Sequence, residues 1–214
     1  MLEKKEFQSS FNRLAANIRF YSQNNKAKSF SIASALKDEG KTTVAVSLAT
    51  CLADKTTNVL IVDFDIHHKS LSDMFLPNSA ASLFDVFSNK CVIEDAILKT
   101  TTEGLYFIDF ASGVSSIQSL VGTSEFINIW KVLKNSFDYI IVDTPPVLPC
   151  LEATVACKLT DACIQVVRRK KTNKDDVLTA YDQLKTYGVD VIGSVATFTK
   201  NSESKYYSSY SYYN

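Results

Sequence analysis

Gly40-Lys41-Thr42-Thr43 sets a cation and a hydroxyl one residue apart, reached through Ser34-Ala35-Leu36-Lys37-Asp38-Glu39. Ahead of it runs the apolar, alternating segment Ser29-Phe30-Ser31-Ile32-Ala33, and behind it comes a long helical pattern. Strand, tight loop and Gly-Lys-Thr at a helix start is the context that a phosphate-binding loop requires. The free backbone N–H groups at such a helix end face an anion, and the helix dipole favours its charge. Lys41 then adds a point charge near the β- and γ-phosphates, and the Thr42 hydroxyl suits Mg²⁺. Ala35 stands where the loop consensus has Gly, so a strict pattern misses the segment. Gly-Lys-Thr-Thr by itself is common by chance; its flanks carry the inference.

Two further segments point to the same chemistry. Asn58-Val59-Leu60-Ile61-Val62-Asp63-Phe64-Asp65 reads as a buried strand ending in two carboxylates. Phe137-Asp138-Tyr139-Ile140-Ile141-Val142-Asp143-Thr144-Pro145-Pro146 reads as another, ending in Asp before a Pro-Pro turn. A β-branched run that ends in Asp places the carboxylate at the C-terminal edge of a parallel sheet, where open α/β folds bind ligands. The plainer alternative is that each Asp caps the segment after it. For one Asp alone the cap is the better reading; both, in the order loop, Asp-x-Asp, Asp-Thr-Pro-Pro, favour Mg²⁺ and phosphate chemistry. His67 and His68 are adjacent, so on regular structure they point apart, and oxygen ligands already suit Mg²⁺ better.

The C-terminus carries a different signal. Tyr206, Tyr207, Tyr210, Tyr212 and Tyr213 are five of the ten tyrosines, spaced only by Ser208, Ser209 and Ser211. A segment without aliphatic residues has nothing to bury, so a disordered Tyr-rich tail is expected from Thr199 onward. Tyrosines held in solvent read as acceptors for an enzyme, and a tail of about 16 residues reaches ~50 Å when extended, far enough to enter a neighbour's site.

In order and wording these motifs resemble the bacterial tyrosine kinases (BY-kinases) of capsule and exopolysaccharide synthesis, on the deviant Walker-A branch of P-loop ATPases. The resemblance runs from about Phe11 to the C-terminus and rests on Glu39-Gly40-Lys41-Thr42-Thr43, Val62-Asp63-Phe64-Asp65, Val142-Asp143-Thr144-Pro145-Pro146, Val166-Val167-Arg168 with Thr172, and the terminal tyrosines. It implies ATP and Mg²⁺ as cofactors. Lys37, Asp38, Glu39, Gly40, Lys41, Thr42, Thr43 and Arg168 would hold the nucleotide. Thr42, Asp63 and Asp143 would hold the metal, and Lys41, Asp63 and Asp65 would serve catalysis, with Asp63 orienting the tyrosine hydroxyl. It further implies autophosphorylation of the tail between subunits of a homo-oligomer, a transmembrane adaptor of the polysaccharide export system, and a cognate tyrosine phosphatase. Location at the inner face of the cell membrane would then come through the adaptor.

The chain departs from that family at several positions. Lys37-Asp38 replaces the usual Pro-Gly; an Asp there brings a Cβ and a negative charge toward the phosphates and predicts weaker nucleotide binding, offset in part by Lys37. His67 replaces an Arg. The ring-forming Glu-x-x-Arg-x-x-Arg falls on Ser9, Asn12 and Ala15, Asn-Pro-x-Glu-Leu on Ser116-Ile117-Gln118-Ser119-Leu120, and the Asn at the adenine on Thr197. Two other readings stay open: an ATPase switch like the partition and division-site relatives, and a nucleotide-binding scaffold without catalysis.

Composition is consistent with an enzyme of this size. At 214 residues, one core is the default. Lys plus Arg and Asp plus Glu are equal at 23 each, so no global field favours nucleic acid, although Arg168-Arg169-Lys170-Lys171 is a local basic run. No apolar stretch approaches the ~20 residues of a membrane span. The five cysteines (Cys51, Cys91, Cys150, Cys157, Cys163) lack metal-site spacing and read as reduced thiols of a cytoplasmic chain. The expected fold class is α/β, a doubly wound, mainly parallel sheet of the P-loop NTPase type. Residues 1–26 are expected to form an N-terminal helix for oligomer or adaptor contacts, 27–198 the kinase domain, and 199–214 the tail. The patterns predict helices at Glu3–Tyr21, Lys41–Asp54, Ser82–Phe87, Ile93–Leu98, Glu125–Leu133, 152–159 and Lys174–Tyr187. They predict strands to Ser34, to Asp65, at Leu105–Phe110, to Asp143, at Ala162–Val167 and at Val191–Ala196.

Overall fold

The computed structural model describes residues 2–66, 68, 70–75, 81–110 and 118–199. The elements run α1 (Leu2–Asn25), β1 (Ser29–Ser34), α2 (Lys41–Leu52), β2 (Val59–Asp63), α3 (Ser70–Phe75), α4 (Leu83–Phe87), α5 (Ile93–Ala96), β3 (Leu98–Lys99) and β4 (Leu105–Asp109). They continue with α6 (Gln118–Val121), α7 (Ser124–Ser136), β5 (Tyr139–Asp143), α8 (Leu151–Leu159), β6 (Ala162–Arg168), α9 (Lys174–Thr186) and β7 (Val191–Thr197). The strands form one sheet in the order β3-β4-β2-β5-β1-β6-β7, parallel throughout except for the two-residue β3.

Every residue of β1 and β2 is buried, because helices cover both faces of the sheet. Successive side chains of a strand point to opposite faces, and the packing follows. On β2, Ile61 joins a core with Ala15 and Ile18 of α1 and Val44 and Leu48 of α2. Its neighbours Leu60 and Val62 join the other core, with Phe126 and Trp130 of α7. Trp130 is anchored there by its indole N–H, which donates to the Leu159 carbonyl at 3.0 Å. A third cluster gathers Ala153 and Cys157 of α8 with Ala180 and Leu184 of α9.

Several element ends differ from the sequence expectation. The first helix continues past Tyr21 to Asn25. The second stops at Leu52 because Ala53 turns extended, and the following Asp54–Thr57 bridge is pressed against Gly104. A Cβ on Gly104 would lie 2.3 Å from the Asp54 carbonyl, so only glycine fits, at φ 76°. The segment expected to be helical to Leu98 ends at Ala96, and Leu98 instead pairs with Phe107 as an edge strand. Helices α3 and α6 were not anticipated; they span 6 and 4 residues, too short for periodicity to register. The position expected to carry the last ring-forming charge, Ala15, is buried against α2. Positions 116 and 117 and the expected tail from 200 onward lie outside the described residues.

Candidate phosphate-binding and carboxylate site

The chain leaves β1 in the interior of the sheet, with β5 on one side and β6 on the other, and passes through a short loop into α2. Gly40 is the N-cap of α2 at φ 93°, a left-handed conformation that glycine adopts freely. A Cβ there would stand 3.3 Å from Thr197 Cγ2. The loop before it is tied down by polar contacts. Glu39 is buried; its carboxylate accepts from the Leu36 N–H at 2.9 Å and from the Thr172 hydroxyl. Its carbonyl accepts from the Thr197 hydroxyl at 2.6 Å. Arg168 donates from Nη1 to the Asp38 carbonyl at 2.8 Å.

The expected conflict at Asp38 takes a different form. Asp38 sits at φ 60°, a left-handed position that Asp tolerates better than most residues. Its side chain is 67% exposed and meets Lys171 Nζ at 3.6 Å. The negative charge is therefore turned outward, and its partner is Lys171 of the basic run rather than the adjacent Lys37.

Lys41 is buried at the start of α2, and the Thr42 hydroxyl donates to Asp143 Oδ2 at 2.6 Å. The second Asp143 oxygen, Oδ1, is buried with no hydrogen-bond partner. Asp63 lies directly opposite Asp143, the two being register partners at the ends of β2 and β5. Asp63 accepts from the Asp65 N–H at 3.0 Å, and from the Ser72 hydroxyl and N–H of α3 at 3.2 and 3.3 Å. Burial pushes Asp63 up to about 8, helped by the charges of Asp143, Asp109 and Asp65 against the bond from the Asp65 N–H. Burial likewise pushes Asp143 up to about 7, against the pull of the Thr42 hydroxyl and the Lys41 charge.

Two carboxylates held above their ordinary range, one with an orphaned buried oxygen beside a threonine hydroxyl, form a donor set that the single charge of Lys41 does not balance. That suits a hard divalent cation such as Mg²⁺, which takes one or two protein carboxylates and completes its shell with water and phosphate oxygens. Among the described residues no three His, Cys, Asp or Glu side chains form a fuller cage. The residues fit Mg²⁺ bound together with a phosphate ligand.

The other expected residues divide between this floor and the rim. Asp65 is half-buried, with His68 Nδ1 at 3.6 Å from its Oδ1. Lys37 lines an open cleft of about 740 Å³ together with Leu36, His68, Pro146, Pro149 and Lys171. Thr43 is exposed on the first turn of α2, and Arg168 lies at the rim beside Asp38. His67 and Tyr206, Tyr207, Tyr210, Tyr212 and Tyr213 lie outside the described residues. Sequence reading missed Asp109, the register partner of Asp63 on β4. Its signal was present, since Leu105-Tyr106-Phe107-Ile108-Asp109 is another apolar run ending in Asp. It also missed the loop-holding bonds of Glu39, Thr172 and Thr197.

A family model described as an AAA domain matches residues 28–186. The chain is 28% identical to the tyrosine-protein kinase CpsD of Streptococcus pneumoniae serotype 4, over 94% of this chain and 88% of that protein. The crystal structure of the chimerical protein CapA2B2 superposes with a TM-score of 0.81 at 26% identity, covering 89% of this chain and 84% of the other. The septum site-determining protein MinD of Pyrococcus horikoshii, complexed with Mg-ADP, gives a TM-score of 0.64 at 27% identity, over 79% of this chain and 69% of that one.

Proposed function

The chain belongs to the AAA-domain family and, within it, to the bacterial tyrosine kinases, and from that premise we propose that it is an ATP-dependent autokinase acting on its own C-terminal tyrosines, Tyr206, Tyr207, Tyr210, Tyr212 and Tyr213. The observation that carries this reading is the Thr42–Asp143 contact of 2.6 Å, with an unpartnered Asp143 oxygen at its side and Lys41 on the same helical turn. It supports a site for a metal-bound nucleoside triphosphate.

Phosphoryl transfer passes through a loose transition state, so positioning and charge neutralisation carry most of the catalysis. In this reading the N–H groups at the start of α2 and Lys41 bind the β- and γ-phosphates. Thr42, Asp143 and Asp63 hold Mg²⁺, which when bound neutralises the developing phosphate charge. Asp63 would orient the acceptor hydroxyl, and Asp65, whose N–H donates to Asp63 at 3.0 Å, would assist at the metal. The open cleft with apolar walls Leu36, Pro146 and Pro149 would give the acceptor ring a surface to rest on, and Lys37 and Lys171 would favour an anionic product at its rim. The acceptor tail would come from a neighbouring copy in a homo-oligomer. Control by a transmembrane adaptor and reversal by a cognate phosphatase, in capsule or exopolysaccharide synthesis at the inner membrane face, complete the proposal. No helix among the described residues is long and apolar enough to cross a membrane.

The likeness to MinD favours a second reading, an ATPase switch without a protein acceptor. One experiment separates the two. Purified protein is incubated with Mg-ATP, with and without its membrane partner, and modified residues are mapped by mass spectrometry. Phosphate on the terminal tyrosines, lost in Lys41→Met, is the expected result. Hydrolysis that persists after removal of residues 199–214, with an unmodified wild-type tail, would establish the switch instead.

A further inference from the structure

Two lysines at the rim of the open cleft are held loosely or not at all. Lys37 comes from the phosphate loop and Lys171 from the β6–α9 turn, and the one carboxylate among the lining residues is Glu152. Lys37 is exposed and, among the described residues, has no hydrogen-bond or ion-pair partner. Lys171 meets Asp38 at 3.6 Å, with the two side chains 44% and 67% exposed. Such a pair is worth less than about 1 kcal/mol and yields readily to a stronger anion. The cleft also opens onto the carboxylate floor. Pro146 follows Asp143 by three residues, and His68 Nδ1 lies 3.6 Å from Asp65 Oδ1. Burial raises the Cys150 thiol of the cleft wall, Glu152 and Asp65 raise it further and Lys41 lowers it, so this wall is within electrostatic reach of the floor.

The acceptor segment suits this rim only after it has been modified. Residues 199–214 carry Lys200 and Lys205 against Glu203, so two ammoniums oppose the unmodified segment. One phosphotyrosine brings about −2 and three acceptor oxygens, which reverses the sign. Each of the five tyrosines has another within two residues, about 7 Å along an extended chain, a separation that a cleft of about 740 Å³ accommodates. Resting on the autokinase reading above, we propose that Lys37 and Lys171 form a phosphate subsite of the acceptor cleft. It takes a phosphotyrosine already present on the tail of a second copy and so presents the neighbouring tyrosine for the next transfer. Each transfer breaks the bond from the γ-phosphorus to the leaving ADP oxygen and forms one to the tyrosine Oη, whose proton is released to solvent. The first modification of a tail is then the slow one, because every product is a better substrate than its precursor.

The test uses the full chain with all five tail tyrosines changed to Phe, so that only an added peptide accepts phosphate. With Mg-ATP and the membrane partner present, it is given two peptides of residues 199–214 whose only unmodified tyrosine is Tyr210. Tyr212 is phosphorylated in one and replaced by Phe in the other, and the remaining tyrosines are Phe in both. At Tyr210, kcat/KM should be about 5- to 50-fold higher for the phosphorylated peptide, mainly through KM. A third peptide with Tyr212→Glu carries a single charge and should fall between them. Lys37→Ala with Lys171→Ala should bring the phosphorylated peptide to within about twofold of the Phe peptide, whereas Lys37→Arg with Lys171→Arg should keep the advantage. The ratio between peptides is read within each variant, so any effect of Lys37 on nucleotide binding cancels. Equal kcat/KM for the two peptides, an advantage that survives the double alanine variant, or its loss to inorganic phosphate at the peptide's own concentration would overturn the subsite. A phosphorylated peptide that binds more tightly yet is modified more slowly would mark a product trap and overturn the priming. Absence of transfer to every peptide would overturn the autokinase reading itself.

Discussion

Asp143 provides a test in which stability and function move in opposite directions. Its carboxyl is 1% exposed, faces Asp63 across the β2–β5 register, and has one oxygen without a partner. Burial pushes it from the ordinary 3.8 to about 7. A carboxyl raised in the folded state binds its proton more tightly there than in the unfolded chain. Folding stability therefore falls as pH rises from about 4 toward 7, and the full penalty is present above that. Each pH step within this window costs at most about 1.4 kcal/mol, and relaxation of the site reduces it. Asn at this position keeps an oxygen to accept from Thr42 and carries no charge. Asp143→Asn should therefore gain on the wild type between pH 5 and pH 8 by about 1–3 kcal/mol. For a domain of this length that is a Tm difference widening by about 2–10 °C. The assay is thermal unfolding by circular dichroism at the two pH values, without nucleotide and with the divalent cations chelated. The same variant should lose Mg²⁺-dependent nucleotide binding. A Tm difference between variant and wild type that is the same at pH 5 and pH 8 would refute the assignment of a buried, strained carboxylate.

Two further substitutions test how the loop is held. Gly40→Ala forces a Cβ into a left-handed position and against Thr197 Cγ2 at 3.3 Å, so a loss of about 1–2 kcal/mol is expected, together with weaker Mg-ATP binding by calorimetry. Adding Thr197→Ser removes the crowding methyl and should recover only the part of the loss due to contact, leaving the backbone part. Glu39→Ala strips the buried partner of the Leu36 N–H and the Thr172 hydroxyl, with an expected cost of about 2–3 kcal/mol and a Tm lower by about 4–10 °C, whereas Glu39→Gln should keep most of both.

The sheet and its chemistry-bearing ends were legible because their signals are local. A buried parallel strand is a run of apolar residues, and the loop, Asp63 and Asp143 each adjoin such a run, so the topology follows from strands alternating with helices. Long helices such as α7 and α9 were placed to within a few residues at each end. What sequence did not yield were interactions between distant segments. Glu39 reads as part of the nucleotide loop, yet its side chain is buried against Thr172, which lies 133 residues away. Asp109 drew no notice because only its register on β4, opposite Asp63, gives it meaning. The orphaned oxygen of Asp143 is a property of packing that no residue pattern encodes.

Asp38 shows how a departure from a family pattern is judged by conformation rather than by residue type. Where glycine is usual, two separate requirements can lie behind it: a left-handed backbone, or space for a phosphate. Asp meets the first at φ 60°, where its short polar side chain carries only a modest penalty. The second is met because the carboxylate leaves the loop for solvent and Lys171. The charge is therefore compensated by the β6–α9 turn, the same turn whose Arg168 holds the Asp38 carbonyl and whose Thr172 holds Glu39. Loop and turn have become one polar unit in this chain. Lys171 is exposed, and an exposed pair of this kind is worth well under 1 kcal/mol. The loop geometry consequently depends on the buried Glu39 contacts and on Arg168, and removal of Lys171 alone should leave it standing.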